Sequence, residues 1–166
     1  MAGVAVSTAV RIALVLAALV CGIRAAVTDA KTRTLPNTSV AIIAICAFAE
    51  IFATLSGVLA PAFILEPPLL RLTWAAGFTL FLLSFEMLWR ALHKGAHGLG
   101  FGDIKLMGAF SLWLGSMSLI MVLIAALFAL FYAFAKHVRT FAFGPHLVAG
   151  ACVALVLPMI QIAVTW

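Results

Sequence analysis

Long apolar runs separated by short polar breaks dominate the chain, at about residues 4–27, 39–60, 69–92, 104–115, 118–135 and 147–166. Roughly 20 apolar residues in helical form cross the hydrocarbon core of a bilayer, and most of these runs approach that length. None alternates with the period of two that a transmembrane barrel strand requires. The breaks are chemically distinct. Thr28 to Asn37 is polar and charged, and Pro61 with the Glu66-Pro67-Pro68 cluster stops a helix because proline cannot continue one. His93 to Gly102 is rich in glycine, which disfavours a regular helix. Residues 104–135 would reach about 48 Å as one helix, too long for a core of about 30 Å. Gly115-Ser116-Met117-Ser118 is the natural turn within that stretch. The pattern predicts an all-α polytopic membrane protein, one integral-membrane domain over residues 1–166 with six transmembrane helices.

Composition excludes the soluble alternatives. Of 166 residues, 66% are hydrophobic and 9% charged, whereas a soluble domain carries roughly a quarter charged residues. The net charge of +5 is no nucleic-acid signal, because the cations fall in small groups between apolar runs. With six crossings, Arg24, Lys31, Arg33, Arg90, Lys94, Lys105, Lys136 and Arg139 share one face, and only Arg11 and Arg71 lie opposite. The positive-inside rule makes the first face cytoplasmic and places both termini outside. Arg11 and the apolar core after it could belong to a cleaved signal peptide, and Leu19-Val20-Cys21 faintly resembles a lipoprotein box, but a retained first helix fits better. Cys21, Cys46 and Cys152 stand alone in apolar stretches with no CxxC, so they read as core residues. His93, His97 and His146 lack a ligand spacing with a carboxylate, and neither a metal nor a cofactor is expected.

Five acids remain. Glu66 reads as a solvated loop residue, and Glu86 forms an i,i+4 pair with Arg90 that a helix end holds without further purpose. Glu50 falls near the middle of the second span, where an ionisable group faces the bundle interior; a packing role and a functional one both stay open. Asp29 finishes the first span and Asp103 opens the fourth, so both lie at one depth on the cytoplasmic side. Two carboxylates brought together there make a possible acid–base dyad, since like charges a few ångströms apart cannot both ionise easily. The ionised partner can take a proton from water while the neutral one donates to a carbonyl oxygen or leaving amine. Each also has a plainer reading, Asp103 as the N-cap of the fourth helix and Asp29 as a solvated loop acid.

The surroundings of the two aspartates resemble a known family. Asp29, five residues and then Leu35-Pro36-Asn37 resembles the D-x5-[IL]-P-N signature of type IV prepilin peptidases. Gly100-Phe101-Gly102-Asp103-Ile104-Lys105 resembles their G-x-G-D-x-K signature, and Phe143-Gly144-Pro145 before the last span is similar to their F-G-P stretch. The resemblance covers about residues 24–152. It implies a G-x-G-D membrane aspartic endopeptidase of the bacterial inner membrane, with Asp29 and Asp103 catalytic. Such an enzyme cuts the short basic leader from prepilin or pseudopilin precursors, on the cytoplasmic side of their hydrophobic segment. Pro36, Asn37, Gly100, Gly102, Lys105, Gly144 and Pro145 then shape the site or bind substrate. Pro36 and Asn37 are expected to stiffen the loop and cap the second helix. Gly100 and Gly102 would allow close backbone approach or positive φ. Lys105 points away from Asp103 at i,i+2 and would meet acidic or headgroup partners. Longer members carry a cytoplasmic insertion with paired CxxC motifs and also methylate the new N-terminus. Here Val27-Thr28-Asp29 follows the first helix directly, which is similar to the peptidases dedicated to Flp (tight-adherence) pili and does not imply methylation. His146 follows Phe143-Gly144-Pro145 where the family often has an apolar residue, and reads as an interfacial packing residue.

Two rivals differ in residue pattern. Another G-x-G-D intramembrane protease, of the signal-peptide-peptidase or presenilin kind, would carry a P-A-L element where this chain has Phe143-Gly144-Pro145. A small proton-coupled transporter using Asp29, Glu50 and Asp103 would show repeat-like halves with broken helices, and no internal repeat is visible.

Overall fold

The computed structural model describes residues 2–59, 66–94, 98–137 and 141–165, with side chains from residue 6 to residue 157. Pro61, His97, Arg139 and Trp166 lie outside them. Among the described residues there are six α-helices and no strand: α1 (Ala2–Thr32), α2 (Asn37–Leu55), α3 (Pro68–Leu92), α4 (Phe101–Leu114), α5 (Ser118–Lys136) and α6 (Gly144–Thr165). A 3₁₀ turn, Gly115–Met117, joins α4 to α5. Four stretches, Val6–Thr32, Asn37–Leu55, Pro68–Leu92 and Phe101–Lys136, are long and apolar enough to cross a membrane, and Gly144–Leu157 adds a shorter apolar helix. This is the build of a multi-pass membrane protein. The last of the four stretches is not straight, because it contains the turn at Gly115. Its first arm, α4, has 14 residues and reaches about 21 Å, well short of a full crossing.

That short helix is the axis of the bundle. Ile104, Leu106, Met107, Phe110 and Trp113 are all buried, and the helix is enclosed nearly all round. A helix apolar on every face is one that other helices surround. α3 packs along it most extensively, with α2 and α6 completing most of the sleeve and α1 touching it where Gly22 admits the ring of Phe110. The Trp113 indole satisfies its one donor by giving a hydrogen bond to the Ile43 carbonyl of α2, 3.2 Å away. Outward-facing positions of α1, α3 and α5 carry large apolar side chains such as Val20, Phe81 and Phe131. In water such a surface would aggregate; against lipid it is the expected exterior.

The chain reverses direction at Gly115. A side chain there would collide with the Glu66 carboxylate and the Arg71 stem, whereas Trp74, one turn further along α3, hydrogen-bonds Ser118 at 3.0 Å. α5 then returns along α6, since Gly150 lies against the Met121 and Ala125 backbone and Tyr132 lies against His146. Gly115 has φ of 54° and ψ of −129°, a conformation open essentially to glycine alone. Glu66 is therefore not the solvated loop acid that its position in the sequence suggests. Its carboxylate accepts the Ser116 amide at 3.1 Å and the Ser116 hydroxyl, closing the turn.

Near this same end Glu50 is fully buried and paired twice. Arg71, 1% exposed, donates Nη2 to Oε2 at 2.5 Å, and Arg11 donates Nε to Oε1 at 2.9 Å, with Thr54 adding its hydroxyl at 3.2 Å. The two cations assigned to the less basic face thus both serve Glu50. Removing one partner of a buried pair leaves the other desolvated, at about 3–5 kcal/mol. Glu50→Ala is accordingly expected to lower unfolding stability in detergent by about that much. A loss under about 1 kcal/mol, the range of exposed pairs, would show that the cluster does not hold the helices together.

Candidate functional site

The opposite end of the bundle gathers the motifs. α1 does not stop at residue 27 but runs to Thr32, so Asp29 lies in its last turn, with its carbonyl accepting the Arg33 amide at 2.8 Å. Arg33 then takes φ of 54°, the left-handed conformation that ends the helix. Asp29 is only 6% exposed, which corrects the reading of a solvated loop acid. Its Oδ2 accepts the Gly144 amide at 2.9 Å, at the very start of α6. Helix N-termini leave amides unsatisfied and carry positive potential, so the carboxylate of one helix caps another. A Cβ at position 144 would stand 2.7 Å from Asp29 Oδ2, hence a glycine there. Pro145 fits the first turn of α6, where its missing N–H costs nothing. Tyr132, Phe141 and Phe143 ring His146, which packs the end of α5 onto the start of α6.

Asp103 sits in the first turn of α4, which begins at Phe101, inside the stretch expected to be loop. The helix has Gly100 at its N-cap position and no side-chain cap hydrogen bond, so Asp103 is not there as a cap. It is half-buried and within electrostatic reach of Asp29. Neither Gly100 nor Gly102 has positive φ among the described residues; space is their reason. A Cβ on Gly100 would meet Asp103 Oδ2 at 3.0 Å, and one on Gly102 would meet Leu35 Cδ1 at 3.1 Å.

These contacts tie the three motifs together in pairs. Leu35 lies on Gly102, the Lys105 ammonium donates to Asn37 Oδ1 at 3.3 Å, and the Gly144 amide reaches Asp29. Asn37 therefore does not cap α2. Pro36 holds the N-cap position, and its carbonyl accepts the Ser39 and Val40 amides. Among the described residues Lys105 is bonded to this neutral amide and not to an acidic side chain. Asp29, Asp103, Pro36, Asn37, Gly100, Gly102, Lys105, Gly144 and Pro145 are all at this end, and Glu50 is not.

Glu86 has a larger part than its pairing with Arg90 suggests. That pair is present at 2.6 Å, but the other oxygen accepts the Gly98 amide at 3.1 Å and the Leu99 amide at 2.7 Å. Arg90 in turn lies 4.3 Å from the centre of the Phe101 ring. Glu86, fully buried, thus holds the backbone leading into Gly100-Phe101-Gly102-Asp103. The signal for this was present in the sequence. Backbone amides of a glycine-rich segment need acceptors once buried, and Glu86 is the nearest preceding acid. Chemically, two carboxylates from different helices share one electrostatic site, one of them oriented by a backbone amide, which is what acid–base chemistry by a pair requires. Glu86→Ala removes a charged acceptor worth about 1.5–3 kcal/mol per bond. Hydrogen exchange at the Leu99 amide is then expected to speed up about tenfold or more, and an unchanged rate would mean that something else holds the segment.

A family model described as the type IV leader peptidase family matches residues 13–134, which takes in Asp29 and Asp103 and ends before Gly144. A curated relative, the prepilin leader peptidase/N-methyltransferase of Escherichia coli (strain K12), is 36% identical over 87 residues. That alignment covers 48% of this chain and 38% of the relative, so the chain spans well under half of that protein. No solved structure matches. The family match extends over most of the chain and includes both carboxylates that the fold brings together; the chain belongs to the type IV leader peptidase family.

Proposed function

We propose that the protein is a membrane aspartic endopeptidase that removes the leader peptide from prepilins, with Asp29 and Asp103 as the catalytic pair. The observation that supports the reading is that these two carboxylates, from the end of α1 and the start of α4, lie within electrostatic reach of each other at the end of the bundle where contacts tie the three motifs together. Family membership and the prepilin-cleaving relative support it. In the proposed reaction the pair holds one proton. The ionised carboxylate takes a proton from water as the water attacks the scissile carbonyl, and the protonated one donates to the carbonyl oxygen. Collapse of the tetrahedral intermediate passes a proton to the leaving amine. The Gly144 amide fixes the Asp29 carboxylate through this cycle, and Glu86 fixes the approach to Asp103.

The proposal extends to setting and substrate. α4 is short, but α4 and α5 form two arms that both meet the site end; the charge distribution supports six crossings with the cation-rich end cytoplasmic, and family membership supports a bacterial inner membrane. The sequence contains no CxxC, which favours leader removal without methylation and precursors of the Flp or type IVb kind. A proton pathway through Glu50 is disfavoured. Glu50 is 13 residues along α2 from Asn37, about 20 Å, and is engaged by two guanidinium groups.

The test is cleavage of a Flp-type prepilin by the purified protein, read as loss of the leader on a gel. Asp29→Asn and Asp103→Asn should each lower turnover by at least about 10²–10⁴, the range of a lost general acid or base, with the protein still folded. Correct processing by either variant would remove the dyad. Gly144→Ala should also slow turnover by about tenfold or more, because its Cβ would displace the Asp29 carboxylate and lose a charge-assisted hydrogen bond. Wild-type turnover in that variant would show that Asp29 needs no such positioning.

A further inference from the structure

α2 and α3 barely touch, and the gap between them is a trough open on its outer side, of about 740 Å³, with α4 as its floor. Small residues stand on each of its surfaces, Ala41 and Ala44 on α2, Ala75 and Ala76 on α3 and Ala109 on α4, among larger ones such as Phe48, Leu72 and Leu80. At one end stand Asn37 and Lys105, the latter two residues from Asp103. At the other end the trough meets a second apolar hollow of about 550 Å³, the two sharing Phe48 and Leu72, which carries it on to Leu55. The two neighbouring hollows together run beside α2 from Asn37 to Leu55, about 28 Å.

Resting on the leader-peptidase reading, we propose that this groove seats the hydrophobic helix of the membrane-inserted precursor and delivers the bond just before that helix to Asp29 and Asp103. Three features select this occupant. The groove is as long as a hydrocarbon core is thick, about 30 Å, where a single lipid tail would reach through only half of that. Small residues on all three walls let a helix backbone approach closely, the usual basis of helix association in lipid. The order along the surface also matches. The bundle presents two carboxylates beyond the Asn37–Lys105 end of an apolar trough, and the precursor presents its cleaved bond and then an apolar helix. Lys105, the one charged residue lining the trough, is already engaged by Asn37.

The test uses the full chain in lipid vesicles with a Flp-type prepilin. A photoreactive benzoylphenylalanine replaces Ala44 or Ala76 in an Asp103→Asn background, with Ile23 on α1 and Phe131 on α5 as outward-facing controls. Adducts with the precursor from positions 44 and 76, and none from the controls, are expected. Adducts with lipid alone, adducts with a second copy of this chain, or equal precursor adducts from all four positions would overturn the proposal. As a second measurement, Ala44→Phe in the otherwise unaltered protein should raise KM about tenfold and leave kcat within about twofold. An unchanged KM with a folded variant would count against the groove. Parallel cleavage by the wild type separates the two claims. Cleavage without groove adducts removes only the groove, whereas no cleavage of any precursor removes both.

Discussion

The structure depends on burying one short helix on all sides. α4 has few exposed positions through its middle, so every neighbour must reach it, and the chain must leave it by a turn tight enough to stay inside the sleeve. Gly115 allows that turn, and the Glu66 carboxylate closes it from the loop before α3. The consequence for the other end is geometric. A helix of about 21 Å held rigidly at its C-terminus fixes its first turn, and its first turn carries Asp103. A longer, freely tilting helix would leave that side chain to loop contacts; here it is set by core packing, which is stiff because interiors are close-packed.

The second constraint is the demand of backbone amides. The start of α6 and the segment before α4 each bring N–H groups inward, and each is met by a carboxylate from a distant element, Asp29 for Gly144 and Glu86 for Gly98 and Leu99. Of the acids at this end, Glu86 is engaged in holding backbone and Arg90, whereas Asp29 gives one oxygen to a backbone amide and lies within electrostatic reach of Asp103. This division explains why a purely structural account covers Glu86 and leaves Asp103 over. Among the described residues Asp103 caps nothing; it is half-buried and shares its field with another acid. On the proposed reading, that carboxylate completes the catalytic pair with Asp29.

Much of this was legible in the sequence, for identifiable reasons. The helical class follows from unbroken apolar runs, and the turn near Gly115 follows from a stretch too long for one crossing, both properties of the primary structure. Helix ends were harder. α1 runs past Val27 through a polar segment in which Thr28 and Thr32 satisfy their hydroxyls on carbonyls one turn back, so polarity alone does not mark its end. α4 starts at Phe101 because Gly100 adopts an ordinary extended N-cap conformation, so the glycines mark close approach and not left-handed backbone. Partners across the bundle were illegible. Nothing local in the sequence says that Lys105 meets Asn37, that Glu66 folds over Ser116, or that Glu50 draws in both Arg11 and Arg71. Those pairings are decided by which helix faces meet.

The two polar ends also differ in a way that bears on how an active site survives inside an apolar bundle. At the Glu50 end the acid is outnumbered by guanidinium groups and wholly buried, so charge there is matched by charge and the helices are clamped. At the Asp29 end cations are more numerous, but they are not matched to the aspartates. Among the described residues no ion pair reaches Asp29 or Asp103; Lys105 goes to an amide and Arg90 goes to Glu86. An arginine beside either aspartate would stabilise the bundle and also hold both carboxylates ionised, abolishing the shared proton that pair chemistry needs. Clamping one end with a buried ion cluster therefore complements leaving the other unneutralised. The stability that the aspartates forgo is supplied at the far end of the same helices, by Arg11 on α1, Glu50 on α2 and Arg71 on α3.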